Sequence, residues 1–338
     1  MSGRAKPRPA KGDGGWGAYL LALVVVCAAL TAGGFVYAQQ KHFSQSLLWG
    51  VLPAFCAEAA LYLIPGFDAP RRAFTSFGSA AARAALLTMA AAVPYVLLTA
   101  RVGGFHLPEF GLLLLLAAVL SFWYAAAKPN ALSDLLFLGA AAAVYLTHVF
   151  AQIYPHPAPH LSLDILGRLM WIHTGILAVL GVRGWEARFS FLPEAGDWKV
   201  GFEHFVVFLV PAGALVWTLH LLHFGMRGPW YRAPVTALGV FFGFLWTVAL
   251  AEEFFFRGFL QARLARAWNS NFAALVAASV IFGACHLPFR GFPNYRWSAL
   301  ATLLGLACGA AWWRTGSIRA PMVTHALVVA TWRTFFAG

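Results

Sequence analysis

The chain has 338 residues, of which 61% are apolar and only 11% are charged. Because soluble domains carry roughly 25% charged residues, this composition excludes an ordinary soluble protein and indicates an integral membrane protein. The net charge of +12 is spread as single Lys and Arg residues between apolar runs. That pattern is typical of membrane topology signals, so lipid is an expected partner and nucleic acid is not.

Residues 1–15 are basic and rich in Pro and Gly, and they are predicted to form a disordered cytoplasmic tail. The apolar run that follows is too long for a signal-peptide core and is interpreted as the first membrane helix. Later runs approach the ~20 residues that a helix needs to cross hydrocarbon. The predicted spans are 17–37, 47–65, 85–100, 111–127, 135–154, 168–182, 202–222, 236–260, 270–289, 297–314 and 318–336. The predicted fold is an all-α, polytopic transmembrane helix bundle with about eleven spans.

The distribution of basic residues predicts the orientation. With a cytoplasmic amino terminus, the loops on that side hold about twice as many Lys and Arg residues as the loops opposite, as the positive-inside rule requires. The predicted location is a multi-pass protein of the bacterial plasma membrane.

The most polar internal segment is 183–200, which is interpreted as a linker. It separates an amino-terminal transmembrane region of unknown role, 16–182, from a carboxy-terminal region, 201–338, that contains the motifs described next.

Two adjacent acids, Glu252 and Glu253, stand inside an apolar run. Ionisable groups at membrane depth are expensive and usually mark functional sites. Arg257 follows Glu253 by four residues, so the two share a helix face and can pair. Glu252 lies about 100° around the helix and is free to point elsewhere. This arrangement predicts an active site.

Two histidines on later spans complete the candidate site. His286 ends the segment Phe282-Gly-Ala-Cys-His, and His325 lies in the last span. A carboxylate and an imidazole can remove the proton of a water that attacks a carbonyl carbon. A second imidazole can hold the oxyanion that forms. The sequence contains no Gly-x-Ser-x-Gly motif, so hydrolysis by activated water is the favoured chemistry.

Zinc chemistry is the alternative, because Glu252, His286 and His325 could supply three ligands. A His-Glu-x-x-His motif is absent, and one ligand per helix is weak metal spacing. The sequence therefore predicts a glutamate-type hydrolase without a cofactor, with zinc as the less favoured reading. The four cysteines show no paired spacing and are expected to be free thiols.

The three motifs Glu-Glu-x-x-x-Arg, Phe-x-x-x-His and a later His resemble the signatures of the CPBP family. This family comprises intramembrane proteases related to the CAAX-processing endopeptidases and to bacteriocin self-immunity proteins. The resemblance covers roughly residues 200–338. It implies an intramembrane endopeptidase that cleaves a membrane-anchored, lipid-modified or sorting-tagged protein. It also implies that Glu252 and His286 activate water, Glu253 and Arg257 support the site, and His325 binds the oxyanion.

One position departs from the family pattern. The family usually has Asn or Asp four residues after the last His, and this chain has Val329 there. The second oxyanion donor must come from elsewhere, and Trp332, two turns from His325, is the candidate. The alternative is a member without protease activity that acts in immunity or as a membrane scaffold.

Other buried polar residues have no clear partner in the sequence. His148, His173 and His220 are interpreted as hydrogen-bonding groups between helices. Glu58 is predicted to pair with an arginine such as Arg83 or to join a polar pathway. A proton-coupled transporter that uses Glu58 and Glu252 is a third reading of the chain, and it would require an internal symmetry that the sequence does not show.

Overall fold

The computed structural model describes residues 14–187, 189–226 and 228–337. Most of the tail predicted at residues 1–15 lies outside these ranges. The described residues are almost entirely helical, and the only strands among them are β1 (His223–Phe224) and β2 (Phe336–Ala337), which pair antiparallel. Seven helical segments in the described ranges are long and apolar enough to cross a membrane. The all-α polytopic fold is thereby confirmed.

The chain divides into two compact units, Lys11–Glu186 and a second that begins at Ala187, and the division falls inside the segment 183–200. The first unit contains α1 (Trp16–Lys41), α2 (Gln45–Leu63), α3 (Asp68–Thr75), α4 (Ala80–Val102), α5 (Leu107–Ala126), α6 (Ala131–Leu146), α7 (Phe150–Ile153) and α8 (Asp164–Leu177), which continues as the π-helix Ala178–Val182.

The second unit starts with α9 (Ala195–Leu219), so the last residues of the predicted linker are helical. A continuous helical stretch, Trp230–Trp268, then contains α10, α11 and α12. The remaining bounds are α10 (Ala233–Phe244), α11 (Leu250–Glu253), α12 (Ala262–Trp268), α13 (Asn271–Ala284), α14 (Tyr295–Thr315) and α15 (Arg319–Phe335).

Local sequence explains where several of these helices begin and end. The side chains of Ser44, Ser79 and Ser270 accept hydrogen bonds from backbone N–H groups in the first turns of α2, α4 and α13. Such caps satisfy donors that have no partner inside the helix. Gly316 ends α14 in the left-handed conformation that glycine adopts without a steric penalty.

The predicted span 135–154 is wrong as a single helix. α6 ends at Leu146, His148 adopts a left-handed backbone with φ of 54°, and only the short α7 follows. A left-handed residue breaks the helical hydrogen-bond pattern, and apolar composition did not reveal the break. α6 and α13 are apolar but shorter than a full span. α14 and α15 correspond in position to the last two predicted spans.

In the first unit, α8 and its π-helical extension are the most enclosed of the candidate spans, with 83% of that stretch buried. His173 on α8 bonds to Glu58 on α2, with 2.9 Å between Nδ1 and Oε1. The interhelical role predicted for His173 is therefore confirmed. The predicted partner of Glu58 was wrong, because Arg83 instead donates to backbone carbonyls, including that of Gly78 at 2.9 Å.

In the second unit, α13 and α14 pack with their backbones unusually close. A Cβ added to Gly283 would lie only 1.9 Å from the Thr302 hydroxyl, and one added to Gly305 would lie 2.9 Å from Ser279 Cα. Small residues permit this approach between membrane helices. The close contact positions the end of α13, where His286 follows, and the carbonyl of Gly305, which serves the site described next.

Candidate active site

The two acids lie in a helix with unusual geometry. Glu252 and Glu253 end the four-residue α11, which has the π-helix Leu245–Ala249 before it and the π-helix Phe254–Gln261 after it. π-helical turns are rare and occur often at functional sites. The helix is therefore irregular on both sides of the acid pair.

Glu253 and Arg257 form the ion pair that their spacing predicted. Arg257 Nη1 lies 3.1 Å from the carboxylate of Glu253, and Arg257 Nη2 donates to the carbonyl of Gly305 at 3.3 Å. The residues are 0% and 1% exposed, respectively. At this depth each charge requires its partner, because removal of either would leave the other buried and uncompensated.

The same carboxylate orients His325. His325 Nδ1 lies 2.7 Å from Glu253 Oε1, and its Nε2 lies 3.8 Å from Glu252 Oε2. Because a carboxylate held by arginine accepts hydrogen bonds, Nδ1 carries the proton and donates it to Glu253. The ring is thereby fixed with Nε2 directed towards Glu252.

Glu252 differs from Glu253 in its access to the surroundings. Its side chain is 29% exposed, whereas that of Glu253 is fully buried. Its Oε2 is itself buried, and among the residues that the structure describes none makes a hydrogen bond to this oxygen. Glu252 is therefore the more exposed acid, and it has an oxygen whose hydrogen-bonding capacity a water molecule could fill.

His286 lies just beyond α13 and is fixed by its own helix. Its Nδ1 lies 2.9 Å from the carbonyl oxygen of Phe282. A carbonyl oxygen can only accept, so Nδ1 donates and Nε2 of the neutral ring keeps its lone pair. His286 is therefore held in the tautomer that can accept a proton at Nε2.

The phenyl ring of Phe282 joins the parts of the site. Its centroid is 4.8 Å from the ring of His286, 6.0 Å from the ring of His325 and 4.6 Å from the Arg257 guanidinium carbon. Glu252 also lies close enough to Cys285, the neighbour of His286, to interact with it electrostatically. The structure thus brings Arg257 and both histidines around one aromatic side chain, and the two acids join this group through His325.

The comparison with protein families agrees with this geometry. Residues 234–331 match the family model described as type II CAAX prenyl endopeptidase Rce1-like. By this similarity, the segment 234–331 is termed the Rce1-like domain. The resemblance to the CPBP and CAAX-processing families is thereby confirmed, and the match implies a membrane protease. It covers less than a third of the chain and includes both acids, the arginine and both histidines. No curated protein and no solved structure matches the chain.

Two polar residues of the Rce1-like domain were not predicted from the sequence to lie near the site. Gln261, which is 1% exposed, donates from Nε2 to the carbonyl of Gly309 at 3.1 Å. It continues the four-residue spacing of Glu253 and Arg257, and that periodicity could have revealed it. Cys308 is fully buried on α14, between the small residues that allow close helix packing.

Cys308 also changes which residues could hold a metal. Among the described residues, the ligand atoms of Glu253, Cys308 and His325 lie within 4.8 Å of one another. This group differs from the set Glu252, His286 and His325 that the sequence suggested. It is a poor fit for a cation, because Arg257 already pairs with Glu253 and His325 Nδ1 directs its proton at the same carboxylate. The mechanism below therefore uses no metal.

Val329 stands where the family usually has Asn or Asp, and its side chain provides no polar group in the structure. Val329 is buried one turn after His325, so it offers no hydrogen-bond donor there. Trp332 packs on Trp297 with 5.0 Å between ring centroids. The Nε1 of Trp332 is buried and has no hydrogen-bond acceptor among the described residues. Its role as a second oxyanion donor stays a prediction.

Proposed function

We propose that the Rce1-like domain hydrolyses a peptide bond near the carboxyl end of a membrane-anchored or lipid-modified protein, and that Glu252 and His286 activate the attacking water. The observation that carries this proposal is the 3.8 Å separation between Glu252 Oε2 and His325 Nε2, in a ring whose other nitrogen is fixed by Glu253. A partly exposed acid thus faces an oriented imidazole through an oxygen that is buried and has no hydrogen-bond partner among the described residues.

The reaction starts with a water molecule bound beside Glu252. Glu252 accepts one proton of this water, and the lone pair at His286 Nε2 accepts a hydrogen bond from its other O–H, while the oxygen bonds to the scissile carbonyl carbon. The resulting oxyanion is stabilised by a hydrogen bond from His325 Nε2, so His325 acts as the imidazolium, with one proton on Nδ1 directed at Glu253 and one on Nε2 before the reaction begins. The proton taken from water then passes to the leaving amine as the C–N bond breaks.

Glu253 and Arg257 act as positioning residues in this scheme. Both are buried, and both contact His325 or the backbone. Arg257 pairs with the carboxylate of Glu253, and the hydrogen bond between this carboxylate and Nδ1 keeps His325 in one orientation. Catalysis gains from donors that are oriented before the reaction begins.

The second candidate is a binding or scaffold protein without protease activity. The buried, apolar Val329 favours it, because the turn after His325 supplies no second donor. Loss of one oxyanion donor typically reduces kcat by about 100- to 1,000-fold. This candidate predicts that the chain binds a lipid-modified tail and leaves it intact.

The two candidates are separated by a cleavage assay on the full chain in liposomes. The substrate is a peptide that contains a prenylated cysteine followed by three residues, and mass spectrometry detects the released tripeptide. The same peptide without the lipid tests whether lipid modification is recognised. We expect the prenylated peptide to be cleaved, and an intact peptide would support the second candidate.

His204 provides a matched control for His286. Its Nδ1 also bonds to the carbonyl four residues earlier, Val200, at 2.8 Å, but it lies on α9 outside the cluster around Phe282. His286→Ala is expected to lower kcat by roughly 100-fold or more, and His204→Ala by less than about twofold. Equal effects of the two substitutions would contradict the role of His286.

A further inference from the structure

Arg290 lies in the loop between α13 and α14, four residues after His286. Its side chain is exposed, and its backbone adopts the left-handed conformation with φ of 60°. The loop is held by two hydrogen bonds from Asn294, which donates from its backbone N to Leu287 O at 2.8 Å and from Nδ2 to Phe289 O at 3.0 Å. The structure therefore presents Arg290 from an ordered loop.

The guanidinium of Arg290 lies over a cluster of aromatic rings. Its central carbon is 5.1 Å from the Trp297 ring centroid and 5.6 Å from those of Phe289 and Trp332. No ion pair to Arg290 occurs within the described ranges. A guanidinium that stacks on rings by its face can still donate from the N–H groups at its edge. Two of these groups can form parallel hydrogen bonds to one carboxylate.

The aromatic cluster lies close to both candidate catalytic histidines along the chain. Trp332 follows His325 by seven residues within α15, which corresponds to a rise of about 10.5 Å. Phe289 is one turn after His286 and packs on Trp332 with 6.2 Å between centroids. The two chain segments that carry the histidines therefore meet again at the aromatic cluster.

An extended peptide covers this distance with three residues. At 3.3–3.6 Å per residue, three residues span about 10 Å. A substrate cleaved after a cysteine that stands fourth from its carboxyl end would place its terminal carboxylate at that distance from the scissile carbonyl. An open hollow of about 550 Å³, lined in part by Gly291, Tyr295 and Trp297, borders the loop and leaves room for side chains.

We infer that Arg290 binds the terminal carboxylate of the substrate and favours peptides that end in a free acid. This inference rests on the proposed function and adds to it a specificity-determining residue outside the predicted motifs. Arg290 makes no contact with the reacting atoms, so it affects substrate binding and leaves the chemical step unchanged.

The test compares two prenylated peptides of the same sequence, one with a free terminal carboxylate and one with a terminal amide. The proteins are the wild-type chain, Arg290→Gln, Arg290→Lys and Arg296→Gln in liposomes. Arg296 is the control, because it is an exposed cation that lines the same hollow and donates to the carbonyl of Leu219 at 3.4 Å. Thermal unfolding of each variant checks that the loop change leaves the fold intact.

We expect the wild-type chain to cleave the free acid with a KM roughly tenfold lower than that for the amide, as suits one charge-assisted contact. Arg290→Gln should lose this preference with kcat unchanged, Arg290→Lys should keep part of it, and Arg296→Gln should keep all of it. Equal cleavage of acid and amide by the wild-type chain would overturn the role of Arg290 and leave the protease intact. Failure to cleave either peptide would overturn the proposed function itself, and this inference with it.

Discussion

Each of the two units contains a buried pair of glutamate and histidine, and the two pairs differ in their neighbours. Glu58 and His173 are joined at 2.9 Å and are both 1% exposed. Glu253 and His325 are joined at 2.7 Å, and they are also linked to Arg257 and to the more exposed Glu252. The contact between acid and imidazole is nearly the same in both places.

On chemical grounds, a buried Glu–His pair alone is insufficient for hydrolysis by activated water. A general base must reach the water that it activates. In the second unit the buried acid orients the imidazole, and the adjacent, partly exposed acid can meet water. Glu58 is enclosed near Tyr62, whose ring stands 6.5 Å from His173. The Glu58–His173 pair is therefore expected to stabilise its unit, and the Glu253–His325 pair is expected to serve catalysis.

The largest expected effect on stability concerns Arg257. Arg257→Met leaves Glu253 buried without its cation, which should lower the free energy of unfolding by about 3–5 kcal/mol. Arg314→Met is the control, because Arg314 pairs with Glu203 on the surface, where the two side chains are 54% and 38% exposed. That change should cost no more than about 1 kcal/mol. Unfolding in detergent measures both changes in the free energy of unfolding. Equal losses would show that burial does not make the Glu253–Arg257 pair more important for stability than a surface pair.

A double-mutant cycle tests the structural role of the first pair. Glu58→Leu or His173→Leu alone should cost about 1–3 kcal/mol, because each leaves a buried polar partner unsatisfied. The double variant should cost less than the sum of the two single changes. Cleavage by the folded fraction should stay within about twofold of wild type. A loss of activity in all three variants, with stability unchanged, would instead place Glu58 in the function of the protein.

The smallest expected effect concerns metal chemistry. Cys308→Ala removes one of the three groups that lie within 4.8 Å of one another, and a chelator would remove a bound ion. Because Arg257 pairs with Glu253 and His325 Nδ1 lies against its Oε1, we expect cleavage to change by less than about twofold in both experiments. Inactivation by a chelator, reversed by zinc, would contradict the metal-free mechanism.

Contacts between residues that are close in the sequence were predictable, whereas contacts between residues far apart in the sequence were not. The Glu253–Arg257 pair was predictable, because four-residue spacing places two side chains on one helix face. The pair formed by Glu58 and His173 joins residues 115 positions apart, so it depends on how α2 packs against α8. No local pattern specifies that contact, and the arginine expected instead binds carbonyls next to its own helix.

The membrane spans and the candidate site also combine features that local sequence predicts with features that it does not. Apolar runs predicted the helical fold, since the length and composition of a span are local properties. The break at His148 depends on one backbone angle, and hydropathy does not report it. Both histidines of the candidate site were predicted from their place in apolar spans and then from a family resemblance. The position of Cys308 beside Glu253 and His325 was missed, because it depends on the packing of α14.

The central claim is that Glu252 activates water while Glu58 only stabilises the fold, and Glu252→Gln and Glu58→Gln compare the two directly. Both substitutions keep the size of the side chain and remove its charge. With a prenylated peptide in liposomes, Glu252→Gln should lower kcat by roughly 100-fold or more and leave the unfolding temperature nearly unchanged. Glu58→Gln should lower the unfolding temperature and keep kcat within about twofold. Full activity in Glu252→Gln would contradict the account.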